Sequence, residues 1–307
     1  MSNAQRIPAF VNPESGTAEG ARDALSAAGL FDIREIHPSK LKEEITRAID
    51  DGAKRVLVSG GDGTIRSGAA VVAGKDIELA VMPAGTLNHF ARDHGIPVDF
   101  DEAARVASGD ITEATDVAYV GDEIFLNTSS IGAYVSFMRQ RERLERYFGY
   151  RIASLVASVR TFFFLRTFTL ELEIDGVKQS YRTPMIFIGV DERELQMPTL
   201  GNRVPDGKRG LHVLVVSSRA KARLLLVAWE AVRRGIKSAA RTHELDSFIV
   251  DKCTISMRRS STTIALDGEE VSVRTPLEYR IEKDILRVVR GPEQAEEDPA
   301  PAGQEET

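Results

Sequence analysis

The chain is short of the residues that staple or anchor a fold. It has one cysteine, Cys253, so no disulfide can form within it. Cys253 sits in the strand-like run Phe248 to Met257 and reads as a small core residue. No apolar run approaches the roughly 20 residues that a membrane-crossing helix needs. The opening MSNAQRIPAFVNP is too polar for a secretion signal, so the cytoplasm is the expected compartment. Basic charge is not in excess. The net charge is -6, and nothing points to a protein built around nucleic-acid phosphates. Two nucleotide-binding loops are missing as well. GxxxxGK[ST] does not occur, which excludes a Walker-type phosphate loop. GxGxxG does not follow the first strand, which argues against a Rossmann dehydrogenase.

What is present suits an ordinary two-domain protein. The 307 residues are 42% apolar and 28% charged, enough for a sizeable core. Many of the 24 glycines cluster, as backbone-built binding loops require. The acid excess lies at the end. Glu293, Glu296, Glu297, Asp298, Glu305 and Glu306 follow Pro292 without a base. Residues 292–307 read as a disordered acidic tail, and the rest of the chain is neutral.

Residues 1–116 alternate strand, loop and helix. Arg6 to Val11, Phe31 to Ile36, Val56 to Ser59 and Glu78 to Met82 read as strands. Thr17 to Ala28 reads as a helix. A second begins at Ser39, with Leu41, Ile45 and Ile49 on one face. This predicts an α/β domain with an open parallel sheet that binds ligands at the carboxyl ends of its strands. Near Asp116 the pattern changes. Ala118 to Val120, Ile124 to Asn127, Thr167 to Ile174, Met185 to Val190, Leu211 to Ser217, Phe248 to Met257 and Thr262 to Leu266 read as closely spaced strands. YVGDE and EIDGVK read as hairpin turns. Residues 117–291 are therefore expected to form a mostly antiparallel, β-sandwich-like domain. The last strands, Glu278 to Ile281 and Leu286 to Arg290, can belong to either domain.

Two helical stretches interrupt the second half, Tyr134 to Phe164 and Ala220 to Ala240. The latter carries a Leu225, Trp229, Val232 and Ile236 stripe among Lys221, Arg223, Arg233, Arg234, Lys237 and Arg241. Such a helix can rest on an anionic membrane surface or cover a sheet.

Three loops carry the chemistry. GGDGT, Gly60 to Thr64, follows a strand directly. Gly60, Gly61 and Gly63 let backbone N–H groups reach anionic oxygens, and Thr64 can donate to phosphate or cap the next helix. Asp62 makes sense beside phosphate only if a cation stands between them. A tight structural turn explains the same letters. PAGTLNHFARD, Pro83 to Asp93, repeats the arrangement. Gly85 and Thr86 are candidate donors, Asn88 a pin for the neighbouring loop, and Arg92 a phosphate or surface ion-pair partner. His89 is a ligand candidate or a structural histidine. In NPESG, Asn12 can fix the loop, with Ser15 and Gly16 as donors. Far downstream, ALDGEE places Asp267 and Glu269 on either side of Gly268. In a strand they share a face and can act as base and metal ligand. A DG hairpin turn is the alternative.

The series NPESG, GGDGT, PAGTLNHFARD and LDGE resembles the diacylglycerol kinase catalytic-domain family, and more distantly the NAD kinases. The resemblance runs in order from about residue 6 to residue 291. It implies an ATP- and magnesium-dependent kinase acting on a lipid or other amphiphilic alcohol, with family members that pair as homodimers. It implies that Asn12, Ser15, Gly16, Gly60 to Thr64, Gly85, Thr86 and Asn88 hold the nucleotide. Asp267 would be the general base, supported by Glu269, and Asp62 with Asp116 would serve magnesium. Peripheral contact with the inner membrane surface would suit such a substrate, and Phe162 to Leu165 is a candidate contact. Two departures stand out. His89 replaces a common family aspartate, and PDGKRGLHV, Pro205 to Val213, only loosely follows the family's DGxLDV segment. The competing readings are an NAD kinase-like enzyme and a nucleotide-binding regulatory protein without catalysis.

Overall fold

The computed structural model describes residues 6–163, 166–196, 199–216 and 245–291. The basic stretch 220–240 and the acidic tail lie outside these residues, as does part of Phe162 to Leu165. The chain divides into two compact units. Among the described residues, the first holds those through Val72, Asp76–Glu113 and 287–291; the second holds Ala73–Lys75 and those between Ala114 and Leu286.

The first unit contains β1 (Ile7–Val11), α1 (Ala18–Ala28), β2 (Phe31–Glu35), α2 (Pro38–Asp50), β3 (Arg55–Gly60), α3 (Asp62–Val72), β4 (Glu78–Pro83), α4 (His89–Asp93) and α5 (Phe100–Ala107). Its strands run in the order β2-β1-β3-β4, and every pairing is parallel. β3 and β4 are buried along almost their whole length because helices cover both faces of the sheet. Ala21 and Leu25 of α1 join Ala103 and Ala104 of α5 over one set of strand residues, Val11, Leu57 and Met82. In α2, Leu41, Ile45 and Ala48 form the buried face that the sequence spacing predicts. Local signals set the helix ends. His37 caps α2 by accepting the Ser39 N–H, Pro38 opens the helix, and Gly29 closes α1 in the left-handed conformation.

The second unit is the mostly antiparallel β-rich part. It begins within β5 (Thr112–Val120) and continues through β6 (Glu123–Phe125), β7 (Thr128–Gly132), α6 (Ala133–Phe163), β8 (Phe168–Ile174) and β9 (Val177–Thr183). β10 (Met185–Val190), β11 (Arg193–Gln196), β12 (Thr199–Arg203), β13 (Leu211–Val216) and β14 (Leu245–Val250) follow. β15 (Lys252–Ser256), β16 (Ser261–Leu266), β17 (Glu269–Arg274) and β18 (Leu277–Val289) complete it. One sheet has the order β14-β13-β10-β7-β16-β17. In the other, β18, β15, β8 and β9 lie side by side, with β5 also on β18 and β6 on β5. A single core fills the space between them: Ile186, Ile188, Val213 and Ile264 meet Leu170, Leu172, Ile255 and Leu277. Tyr279 is buried there, its hydroxyl 2.9 Å from the Ser129 hydroxyl. On the outer face of the first sheet, Val135, Phe137 and Met138 of α6 pack against Ala265.

Three sequence expectations are corrected. Phe248 to Met257 is two strands in different sheets, β14 and β15, because the chain changes sheets at Asp251. Glu278 to Ile281 and Leu286 to Arg290 are parts of one strand, β18, with a local irregularity at Asp284, whose φ is 60°. From Arg287 that strand belongs to the first unit and pairs in parallel with β4. The long helix runs from Ala133 to Phe163, but Gly149 breaks its helical geometry at φ 71°.

Candidate functional site

The three loops of the first unit leave the carboxyl ends of β1, β3 and β4 and are tied together by their own residues. The Asn12 N–H donates to the Ser59 carbonyl (3.0 Å), and its side-chain amide donates to the Thr64 hydroxyl (3.1 Å). That joins NPESG to GGDGT. Thr17 donates its hydroxyl to the Ala84 carbonyl at 3.1 Å, which joins NPESG to PAGT. The Ala84 N–H donates to the Gly60 carbonyl at 3.0 Å, which closes the third side. Asn88, buried and left-handed at φ 51°, accepts the Gly85 N–H at 2.9 Å and donates to the Gly85 carbonyl at 2.8 Å.

Close approach explains two of the glycines. A Cβ on Gly85 would stand 2.5 Å from the Gly61 Cα and 2.9 Å from Asn88 Oδ1. A Cβ on Gly60 would stand within 2.7 Å of the Thr64 side chain. The loops nest so tightly that only hydrogen fits there. Gly16 is different: nothing lies within 4 Å of its would-be Cβ.

Asp62 opens α3, and its carboxylate turns to the next loop. Oδ2 accepts the His89 N–H at 3.2 Å and Oδ1 the Phe90 N–H at 3.1 Å, so Asp62 holds the first turn of α4. His89 thus contributes its backbone to the acid. Gly63 and Thr64 form the first turn of α3, whose N-terminal end favours anions. Thr86 and Arg92 are exposed. A separate open cavity of about 240 Å³, lined by Arg6, Pro8, Asp32, Arg34, Ala48, Asp51 and Ala53, contains none of these motif residues.

In the second unit, Asp267 and Gly268 are the two central residues of the hairpin joining β16 to β17, with φ 47° and 87°. Two positive angles in a two-residue loop make a type I′ turn, which Asp-Gly favours. Strand alternation does not apply there. Asp267 is buried, and Glu269, first in β17, is exposed. The Asp267 carboxylate reaches β7 and the residues just before it. Oδ2 accepts the Leu126 N–H at 2.8 Å, and Oδ1 accepts those of Asn127 at 2.8 Å and Thr128 at 3.0 Å. Its own N–H donates to the Thr128 carbonyl at 2.8 Å. LDGE is therefore a hairpin turn and an inward-facing acid at once.

Asp116, on β5, is 1% exposed. Burial pushes its carboxyl up, but hydrogen bonds from Arg209 and the Asp284 N–H, with the Arg209 charge, outweigh that and hold it below the ordinary value. Arg209 Nε donates to Oδ2 at 2.9 Å, Arg209 Nη2 donates to Oδ1, and the Asp284 N–H donates to Oδ1 at 2.9 Å. Burial, with the nearby Asp116 charge, pushes the Asp191 carboxyl above its ordinary value, although the Arg203 charge lowers it.

These surroundings decide what each acid can do with magnesium. Asp62, half-buried and bonded only through single N–H contacts to each oxygen in α4, fits a cation that keeps waters and phosphate oxygens as most of its ligands. Asp116 does not fit, because both its oxygens are taken by a guanidinium. Among the described residues, no three His, Cys, Asp or Glu side chains are grouped to hold a metal ion. The sequence reading missed Thr17, Arg209, Asp191 and Asp284. Thr17 read only as the start of a helix, and its side chain makes no capping bond; Arg209 was signalled only by the irregular PDGKRGLHV segment.

Residues 6–120 match the model of the diacylglycerol kinase catalytic domain. A Mycobacterium tuberculosis protein named diacylglycerol kinase is 29% identical over 188 residues, 57% of this chain and 60% of that protein. The chain thus spans three fifths of the length of this curated relative. The protein named "Probable lipid kinase YegS-like" from Cronobacter sakazakii is 34% identical over 94 residues, covering 29% of this chain and 31% of that protein. A Bacillus anthracis diacylglycerol kinase crystal structure superposes with a TM-score of 0.66 at 19% identity, over 94% of this chain and 97% of that one, which establishes a shared fold.

Proposed function

We propose that the chain is a kinase that moves the γ-phosphoryl group of ATP to a hydroxyl of a lipid, diacylglycerol or a related amphiphilic alcohol. The observation that carries this reading is the interlocked trio of loops at the carboxyl ends of β1, β3 and β4. Side-chain amides and hydroxyls are used to fix the loops. That leaves glycine-rich backbone and the first turn of α3 to present N–H donors to phosphate oxygens. The catalytic-domain match lies over this stretch, and the names of the relatives supply the lipid acceptor.

Phosphoryl transfer asks its enzyme chiefly for positioning and charge stabilisation. The acceptor oxygen bonds to the γ-phosphorus as the bond to the β,γ-bridging oxygen breaks, and ADP leaves. The hydroxyl proton passes to a carboxylate, which we assign to Asp267 with Glu269 in support. Three N–H bonds hold Asp267 in one orientation, which suits a group that must align a hydroxyl. Asn12, Thr64, Gly60, Gly61, Gly63, Gly85 and Asn88 shape the phosphate cradle, with Ser15, Gly16 and Thr86 as further donors. Asp62 is the acid of the cradle that would hold magnesium, which when bound with the nucleotide would neutralise phosphate charge. Among the described residues no helix is long and apolar enough to cross a membrane. Lipid would then be met by surface contact, and a homodimer is compatible with this reading.

A second reading has its own support. Three backbone donors on Asp267 and an arginine on Asp116 suit a nucleotide-binding protein whose acids are structural. One experiment separates the two. ATP and magnesium are supplied with total lipid extract, with purified diacylglycerol and with NAD, and products are read by mass spectrometry beside an ATP-binding titration. A phosphorylated lipid supports the proposal. Phosphorylated NAD alone replaces the acceptor, and ATP binding without any product supports the second reading.

A further inference from the structure

The acid that the resemblance assigns to magnesium has a different counter-charge in this chain. Asp116 lies on β5 with its carboxylate gripped in the forked manner that guanidinium and carboxylate favour. The same Arg209 Nη2 donates to Asp284 Oδ1 at 2.7 Å. Asp284 in turn gives its backbone N–H to Asp116, from a position of β18 with φ 60°. A third acid, Asp191, is 3% exposed, and the Asp116 charge nearby raises its carboxyl. Arg203 Nη2 stands 2.8 Å from Asp191 Oδ2, and Asp191 Oδ1 accepts the Gly210 N–H at 3.2 Å. The Asp191 N–H donates back to the Gly210 carbonyl at 2.9 Å. Three carboxylates from β5, the end of β10 and β18 thus converge on arginines carried by the segment between β11 and β13.

Asp284 is exposed, but Asp116 and Asp191 are buried, and buried carboxylates need a positive partner. Proteins meet that need with a divalent cation or with arginine. A magnesium ion would require oxygen ligands in a near-octahedral shell about 2.0–2.1 Å away. Here the approach to both Asp116 oxygens is filled by N–H donors, and the acids surround a planar fork. Lys283 belongs to the same field but is exposed, and it pairs with Asp251 at 2.8 Å.

We propose that Arg209 stands in for a divalent cation at the Asp116 and Asp284 carboxylates, with Arg203 serving neighbouring Asp191, so that Asp116 is not a magnesium ligand in this chain. PDGKRGLHV is then not a degraded segment but the piece that brings the substitute charge. Its Lys208 N–H is also held, by Glu192 Oε2 at 2.9 Å, and its Gly210 by Asp191. Arg209 and Asp116 are positioning residues that pin this segment to β5 and β18. This departs from the expected Asp62 and Asp116 pair and leaves the role of Asp62 untouched.

The test uses the full chain without nucleotide, so it does not depend on kinase activity. Thermal unfolding is followed in EDTA, in millimolar magnesium and in millimolar calcium, for the unaltered protein and for Arg209→Met, Arg209→Lys and the double variant Asp116→Asn/Arg209→Met. The unaltered protein should melt at the same temperature in all three. Arg209→Met should lose several degrees in EDTA and regain part with magnesium or calcium. Arg209→Lys should fall between, since it keeps the charge and loses the fork. If Arg209→Met does not fold in EDTA, the double variant should, because it removes the stranded charge as well, and its melting should ignore divalent ions. The idea is overturned if magnesium stabilises the unaltered protein and Asp116→Asn abolishes that effect. It is equally overturned if Arg209→Met melts like the unaltered protein, if its loss is the same with and without divalent ions, or if the double variant is no better than the single one.

Discussion

Two hairpins of the second unit begin with the same dipeptide. Asp175-Gly176 joins β8 to β9, and Asp267-Gly268 joins β16 to β17. Their backbones match: the aspartates have φ 50° and 47°, the glycines 79° and 87°. Their side chains do not. Asp175 is exposed at the end of the sheet, whereas Asp267 is buried and takes three backbone N–H groups from a segment about 140 residues earlier in the chain. A turn motif and a site motif are therefore not rival explanations of the letters DG. The turn is set by the dipeptide, and the use of its carboxylate is set by what the fold brings beside it.

The largest expected difference is at the aspartates. Asp267→Asn replaces one carboxylate oxygen by an NH2 group, which must face a backbone N–H whichever way the amide turns. We expect a stability loss of about 1–3 kcal/mol, the cost of leaving a buried donor unpaired. Asp267→Ala strands all three N–H groups and should cost more. Chemical denaturation with a linear fit measures both. If Asp267 also takes the acceptor proton, single-turnover transfer by the folded Asn variant should fall by roughly 10²- to 10⁴-fold. An Asp267→Asn protein as stable as the parent would remove the distinction between the two turns.

The glycines should behave alike, because their need comes from the backbone and not from the surroundings. Nothing lies within 4 Å of a Cβ built on Gly176 or Gly268, so a new methyl meets no neighbour at either. Gly176→Ala and Gly268→Ala should each cost about 1 kcal/mol, the strain of a left-handed alanine. Denaturation midpoints measure both. A gap between them well above about 0.5 kcal/mol would mean that the buried hairpin is stiffened by its carboxylate.

The same contrast shows how far the residues could be read without a fold. The first unit was legible because its partners are close in pattern: apolar strands end in glycine loops, and each loop is held by its neighbour. Asn88 was recognisable as a pin, although it pins its own loop through Gly85. The hairpins EIDGVK and YVGDE were legible from their glycines alone. The destination of the Asp267 carboxylate was not, since Leu126 to Thr128 offer only backbone N–H groups and carry no side-chain signal. The Arg209 fork was hidden for a similar reason: its acids come from β5 and β18, far apart in the chain. The sheet change at Asp251 escaped because an apolar run looks the same whether it serves one sheet or two.

The smallest expected effect is at Asp175. Asp175→Asn keeps a residue that tolerates the left-handed conformation, and the exposed side chain gives water-like surroundings to either form. Stability should change by less than about 0.5 kcal/mol. Cys253 provides a local check, because it lies on β15, the strand that pairs with β8 of this hairpin. Its thiol is buried, and burial pushes its pKa up to about 12. A group raised in the folded state favours folding below its unfolded value of about 8.5, and that contribution fades as pH rises toward the folded value. At pH 8 the native thiol is therefore both uncharged and covered, and alkylation can proceed only through openings of this sheet. Asp175→Asn should leave the alkylation rate at pH 8 unchanged. Asp267→Asn should raise it if its lost stability is shared by the whole sandwich, by roughly tenfold for each 1.4 kcal/mol. Faster alkylation in Asp175→Asn would show that the exposed carboxylate also holds its hairpin, and the two turns would then differ in degree and not in kind.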